Sequence, residues 1–189
     1  MIYLASQSPR RAELLRRESI EFSQFAVDID ESSLANEKPL EYLERVVQAK
    51  LKAALQMKRL GLPVLVADTI VVIDEEILQK PINFKVFCAY MHKLSGRWHQ
   101  VITGFAVGDG ESVYYEYRIT DVLFAPLTDA EIKAYWQTNE PQDKAGGYAI
   151  QGIGQRFVKE IKGDFDNVVG LPVKEVKKVL AKFTFLHSN

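Results

Sequence analysis

The chain has 189 residues, 47% hydrophobic and 26% charged, which is enough for one domain with a sizeable core or two small lobes sharing one. Its 24 basic and 25 acidic residues leave a formal net charge of -1, so no global field favours nucleic acid or an anionic membrane, and any anionic partner must be met by a local cluster. A single cysteine, Cys88, excludes an intrachain disulfide and a multi-cysteine metal motif, and fits a reducing compartment.

The apolar opening MIYLA is too short for a signal peptide and lacks a basic lead, and no apolar run reaches the roughly 18 residues of a membrane span. A cytoplasmic location is expected. Neither repeats nor low-complexity linkers interrupt the periodic segments, so a single domain over 1–189 is expected. Ile2 to Ala5 read as a short buried strand. Ser8 then suits an N-cap and Pro9 the first position of a helix over Arg10 to Arg17. Glu21 to Val27 alternate loosely as a strand. From Pro39 to about Met57, Leu40, Leu43, Val46, Val47, Leu51, Ala54 and Leu55 recur at helical period, and Gly61 and Pro63 close the helix. VLVADTIVVI, Val64 to Ile73, is almost continuously apolar and β-branched, as in a strand covered on both faces. An Asp-Glu-Glu turn and Ile77-Leu78 predict a hairpin leading to Lys80-Pro81. Phe84, Phe87, Cys88, Met91 and Leu94 predict a helix closed by Ser95-Gly96. Two strands, Trp98 to Val107 and about Ser112 to Phe124, flank Asp109-Gly110, a pair favoured in tight turns. Thr128 and Glu131 form a capping box that opens a helix to about Thr138. EPQDKAGGYAIQGIGQ reads as too small and polar for core, Arg156 to Lys162 as a strand, and Pro172 as the start of a final helix. Mixed helices, strands and hairpins predict an α/β (α+β) fold on a mixed sheet.

Several residues sit where packing alone does not put them. Asp68 interrupts an apolar strand, where an unpaired carboxylate carries a desolvation cost. It either caps a turn with Thr69 or stands at a strand end facing a cleft, as general base or metal ligand. Lys50 falls inside the apolar arc of its helix, where a lysine either snorkels to solvent or meets a ligand. Arg10 and Arg11 oppose the macrodipole in the first turn of their helix, at roughly 0.3 to 1 kcal/mol each. Solvent screens that cost for an exposed arginine, whereas a polyanion held by the helix N–H groups, the Ser6 and Ser8 hydroxyls and both guanidiniums reverses it. Lys80 adds a cation at another element end. No Walker or Rossmann glycine signature is present. Asp28, Asp30 and Glu31 in VDIDES read either as a solvated loop or as carboxylates holding Mg2+ beside phosphates. His92, His99 and His187 show no ligand spacing, and Cys88 lies on the apolar stripe of its helix.

ASQSPRRAELL, AKLKAA, ADTIVV, the Lys80-Pro81 pair, LSGRWHQVITG, EPQDKAGGYAIQG and NVVGLP occur in this order over nearly the whole chain. The set closely resembles the Maf-like family, the septum-formation-inhibitor-related nucleotide pyrophosphatases. The family's fold is similar to that of the inosine triphosphate pyrophosphatases, implying a mixed twisted sheet flanked by helices, with a cleft between two lobes. The resemblance implies hydrolysis of a nucleoside triphosphate between the α- and β-phosphates, with a divalent metal, Mg2+ or Mn2+. It makes Asp68 the proton acceptor, Ser6, Arg11, Lys50 and Lys80 phosphate ligands, and Glu31 a metal or substrate contact that would share the metal with Asp68. Within the family, the branch acting on dTTP and UTP is marked by the first arginine of SPRR, the threonine after the catalytic aspartate and the glutamine of IQG. These match Arg10, Thr69 and Gln151. Family members are often dimers, so the expected partners are the nucleotide and a second copy, without nucleic acid or membrane. The family's name comes from an effect on cell division, which leaves a nucleotide-binding regulator with little turnover as the alternative. The chain departs from the family pattern at Gln79, where glycine is usual, and at Asp164 and Asp166, where small or hydroxyl residues are commoner.

Overall fold

The computed structural model describes residues 1–57 and 61–186, with side chains to Phe183; His187 lies outside the described residues. In chain order the elements are β1 (Ile2–Ala5), α1 (Pro9–Arg17), β2 (Phe22–Phe25), α2 (Pro39–Met57), β3 (Val64–Ile73), β4 (Glu76–Leu78) and α3 (Phe84–Leu94). There follow β5 (Trp98–Gly108), β6 (Val113–Phe124), α4 (Asp129–Trp136), β7 (Val158–Lys162), α5 (Phe165–Val169) and α6 (Val173–Leu186). Single 3-10 turns occupy Glu140–Asp143, Ala145–Gly147 and Ile153–Phe157.

Local chemistry explains the element boundaries. Ser8 Oγ accepts the Arg11 N–H at 3.4 Å ahead of Pro9, and Asn83 Oδ1 accepts the Val86 N–H at 2.9 Å to open α3. Both halves of the Thr128/Glu131 capping box are formed. At the β5–β6 turn, Asp109 Oδ1 accepts the N–H groups of Glu111 and Ser112 at 2.9 and 2.8 Å, and Gly110 takes a φ of 99°, a left-handed conformation that costs glycine little.

The fold is mixed α/β. Strands are hydrogen-bonded in the order β2-β1-β3-β5-β6-β7, with β4 also on β3. β1 runs parallel to β2 and β3, whereas β3–β4 and β6–β7 are antiparallel. Two compact units divide the chain: unit 1 takes Met1–Asp68, Thr103–Arg118 and the segment from Gly170, and unit 2 takes Thr69–Ile102 and Ile119–Val169. Among the described residues no helix is long and apolar enough to cross a membrane.

In unit 1 the α2 stripe of Leu43, Val46, Val47 and Ala54 is completely buried, with Leu4 and Leu65. A Cβ added at Gly104 would come within 3.0 Å of Leu43, and one at Gly108 within 3.1 Å of Leu51. The glycines of β5 therefore let α2 lie directly on the strand.

In unit 2, Val71, Leu78, Phe87, Met91, Phe124 and Tyr135 form the core. The segment from Glu140 to Gln155 belongs to that core rather than outside it: Pro141, Gly146, Gly147, Tyr148, Ile150 and Gly154 are buried. Tyr148 meets Phe124 edge-on at 4.8 Å between centroids. Gly146 and Gly147 have φ near +66° and +76°, and a Cβ on either would lie 2.9 Å from Val71 or Phe87. Composition misleads here because bare backbone takes the space that side chains fill elsewhere.

His99 is buried, with Nε2 2.7 Å from the Tyr148 hydroxyl, and burial pushes its pKa down to about 4. The unfolded chain binds that proton near pH 6.5, so His99's contribution to stability is complete above that value and is lost as the pH falls towards 4. Between pH 7 and 4, a His99→Gln variant is expected to lose about 3 kcal/mol less stability than the parent, read by denaturant unfolding at both pH values. Equal losses would rule His99 out as the source.

Candidate active site

The parallel strands of unit 1 organise the site. In such sheets the loops beyond the carboxyl ends of the strands are where ligands bind. Ser6 follows β1, the segment with Glu31 follows β2, and Asp68 lies beyond the part of β3 that pairs with β1, at Val64 and Leu65. Asp68 is not at a strand end. It lies within β3, between that pairing and the β4 pairing that begins at Val71.

Lys50 joins these pieces. Helical period places it on the buried side of α2 next to Leu51, and its ammonium contacts Asp68 Oδ1 and Glu31 Oε1, each at 2.7 Å. Asp68 and Lys50 side chains are only 14% and 11% exposed, whereas Glu31 is 46% exposed. Desolvating such ions costs several kcal/mol each and roughly offsets their attraction, so the cluster adds little net stability and its placement calls for another explanation. The family resemblance assigns these three residues to one reaction, and the structure brings them together. Of the acidic residues in VDIDES, only Glu31 reaches Lys50. Asp30 Oδ1 instead accepts the Ser32 N–H at 2.9 Å, which holds its carboxyl below the ordinary range.

The extended segment carrying Glu31 is held by α2. The Tyr42 hydroxyl donates to the Glu31 carbonyl at 2.9 Å, and Arg45 donates to the Ser32 carbonyl at 2.9 Å and to the Glu37 carboxylate. Sequence reasoning gives neither Tyr42 nor Arg45 a role, because the partners of an aperiodic segment leave no pattern in the sequence.

Arg11 is the second cation of the cluster. Its Nε donates to the Gly170 carbonyl at 2.8 Å and its Nη1 to Ser6 Oγ at 3.2 Å. Burial lowers the Arg11 pKa; Asp68 opposes that shift, the Arg10 charge adds to it, and Glu31 opposes it. Arginine stays protonated regardless, so the position holds a permanent cation in surroundings that disfavour charge. Ser6 Oγ also accepts the Ser8 N–H at 3.2 Å. An oxygen that accepts twice keeps its own proton to donate, which suits Ser6 to an anionic oxygen. Ser8 caps α1 as expected, and its hydroxyl, accepting the Arg11 N–H, likewise keeps a proton to donate.

The remaining predicted residues are distributed over both units. Arg10 is half-buried on α1 in unit 1. In unit 2, Thr69 is half-buried on β3, Lys80 is exposed after β4 ahead of the buried Pro81, and Gln151 is exposed near the end of the glycine-rich segment. Among the described residues no three His, Cys, Asp or Glu side chains form a metal-binding group. Cys88 packs against the core of unit 2, and His92 is exposed 3.3 Å from Asp129.

The chain is similar to several known proteins over nearly its whole length. The chain is 48% identical over 182 residues to the dTTP/UTP pyrophosphatase of Pseudoalteromonas translucida, covering 96% of each chain. It is 40% identical over 188 residues to the dTTP/UTP pyrophosphatase of Escherichia coli, covering 100% of this chain and 95% of that one. The solved structure of the Staphylococcus aureus Ham1 protein matches over 97% of both chains at 11% identity, with a TM-score of 0.53, which reports a shared fold. The family described as Maf-like protein matches residues 1–183, and with motifs, fold and relatives in agreement the chain belongs to the Maf-like family.

Proposed function

We propose that the chain is a nucleoside triphosphate pyrophosphatase that hydrolyses dTTP and UTP to the monophosphate and pyrophosphate. The observation that carries this reading is the Lys50 ammonium bridging Asp68 and Glu31 at 2.7 Å each, with Asp68 beyond the part of β3 that pairs with β1 and Glu31 after β2. The names of the full-length relatives supply the substrate.

In the proposed reaction, Asp68 takes a proton from water as the water oxygen bonds to the α-phosphorus. The bridging bond to the β-phosphate breaks, and pyrophosphate departs with the electron pair. Lys50, Arg11 and Ser6 hold phosphate oxygens as charge shifts towards the leaving group. Lys80 joins them on the family resemblance. Arg10, Thr69 and Gln151 select the pyrimidine, Gln151 by matching its amide to a carbonyl and N–H edge.

Glu31 and Asp68 would hold the divalent cation. Mg2+ takes one or two carboxylates and completes its shell with water and substrate phosphates, which suits two carboxylates already converging on one cation. When bound, the metal would neutralise phosphate charge. The reaction is placed in the cytoplasm, supported by the single cysteine.

Purified protein with Mg2+ or Mn2+ is expected to release pyrophosphate from dTTP and UTP in preference to purine triphosphates. Release from no nucleotide, with tight binding retained, would leave the regulator reading in its place. A purine preference would overturn the roles of Arg10, Thr69 and Gln151.

A further inference from the structure

We propose that Glu140 is a positioning residue that sets the Gln151 loop for recognition of the base; the proposal rests on the reading of Gln151 as a base contact. Nothing in the mechanism above uses Glu140, yet its carboxylate accepts three hydrogen bonds. Its Oε1 accepts the Tyr135 hydroxyl at 2.7 Å and the Gly154 N–H at 3.0 Å. Its Oε2 accepts the Ile153 N–H at 2.9 Å. The Tyr135 hydroxyl in turn accepts the Ala149 N–H at 3.2 Å. Burial alone would raise the Glu140 pKa, but the bonds from Tyr135, Gly154 and Ile153 bring it below the ordinary range.

Those backbone donors flank Gln151 on both sides. The chain is fixed at Ala149, Ile153 and Gly154, while the Gln151 side chain between them is exposed. Tyr148, next along, is fixed a second way through His99. A loop with glycines at 152 and 154 is otherwise conformationally free, and ordering it on ligand binding would reduce affinity.

The carboxylate and the phenol leave no room for a side chain at either glycine. A Cβ at residue 152 would lie 2.3 Å from Glu140 Oε2, and one at 154 would lie 2.5 Å from the Tyr135 hydroxyl oxygen. Carboxylate, phenol and bare backbone are therefore a matched set around one exposed glutamine. Such support is what holds a specificity side chain in its productive position.

The test compares kcat and KM for dTTP and dATP in Glu140→Gln, Gln151→Ala and the double variant. Gln is isosteric with Glu, but its amide group turns a donor towards at least one of the three donors that the carboxylate accepts. Glu140→Gln is expected to raise the KM for dTTP about tenfold with kcat within about threefold of the parent, and to cut discrimination against dATP about tenfold, the scale of one lost charged hydrogen bond. Gln151→Ala is expected to cut discrimination similarly, and adding Glu140→Gln to it should change little more, since one acts through the other. Hydrogen exchange of the peptide spanning 148–154 should quicken in Glu140→Gln while the rest of unit 2 keeps its protection.

If Glu140→Gln lowers kcat/KM for dTTP and dATP in the same proportion while Gln151→Ala changes their ratio, Glu140 is structural only and the proposal falls. If Gln151→Ala leaves the ratio unchanged, the base-contact reading fails and the proposal falls with it. Should Glu140→Gln not fold, Gly152→Ala displaces the carboxylate without removing it, and the same ratio decides.

Discussion

An Asp68→Asn variant is expected to release pyrophosphate from dTTP about a hundred- to ten-thousand-fold more slowly than the parent, the usual range for losing a general base. Its fold should survive. The amide keeps the volume of the carboxylate and still presents an oxygen to Lys50, which donates to Asp68 Oδ1 at 2.7 Å, and Lys50 retains Glu31 as its ionised partner. The amide can neither take a proton from water nor hold a divalent cation as a carboxylate does, so at saturating Mg2+ kcat should carry the loss, with KM for dTTP little changed. Steady-state pyrophosphate release, with circular dichroism as the check on folding, measures this. Turnover within about a factor of three of the parent would move proton acceptance to another group.

Lys50→Met is expected to damage stability and activity together. Methionine keeps an unbranched stem, but Asp68 and Glu31 then lose the ammonium that bridges them and retain only the charge of Arg11 among the cations placed in the cluster. Removing one partner of a fully buried ion pair costs about 3 to 5 kcal/mol. Glu31 is 46% exposed and can turn to water, so a loss of about 1 to 3 kcal/mol is expected here. Activity should suffer more, with kcat/KM for dTTP down at least about a hundredfold through the loss of a phosphate-facing charge. Urea unfolding and kinetics on the same preparations separate the two effects. Unchanged kcat/KM would make Lys50 a tether between α2 and β3 and remove it from the phosphate site.

How much of the molecule is legible in the sequence depends on periodicity. The boundaries of β3 and α3 can be read because unbroken β-branched and 3.6-residue patterns mark them. Lys50 stands out because helical period fixes which side chains share a face, so a charge among Leu43, Val46 and Leu51 is visible from spacing alone. Its partner Glu31 is harder to place, because the segment between β2 and α2 follows side-chain bonds from Tyr42 and Arg45 rather than a repeat. α5 spans only Phe165–Val169, barely more than one helical turn, too short for a periodic signal. The glycine-rich segment is misread by composition because counting apolar side chains misses backbone that is itself packed. Motif resemblance points to Gln151, yet Glu140 goes unnoticed at the head of the same motif. Its value lies in three bonds from the Tyr135 hydroxyl and the amides of Ile153 and Gly154, and an amide has no letter of its own.

The bond from Arg11 to the Gly170 carbonyl also imposes an order in time. Ser6, Arg11, Glu31, Lys50 and Asp68 all lie in the first stretch of unit 1, but that unit also needs Thr103–Arg118 and the segment from Gly170. At roughly 5 to 20 residues per second, Gly170 is added on the order of ten seconds after Asp68. Until then the nascent chain carries every one of these five side chains but lacks the acceptor that fixes Arg11. The chemistry is translated first and assembled last, so a chain released before Gly170 would hold the parts of the site without the site.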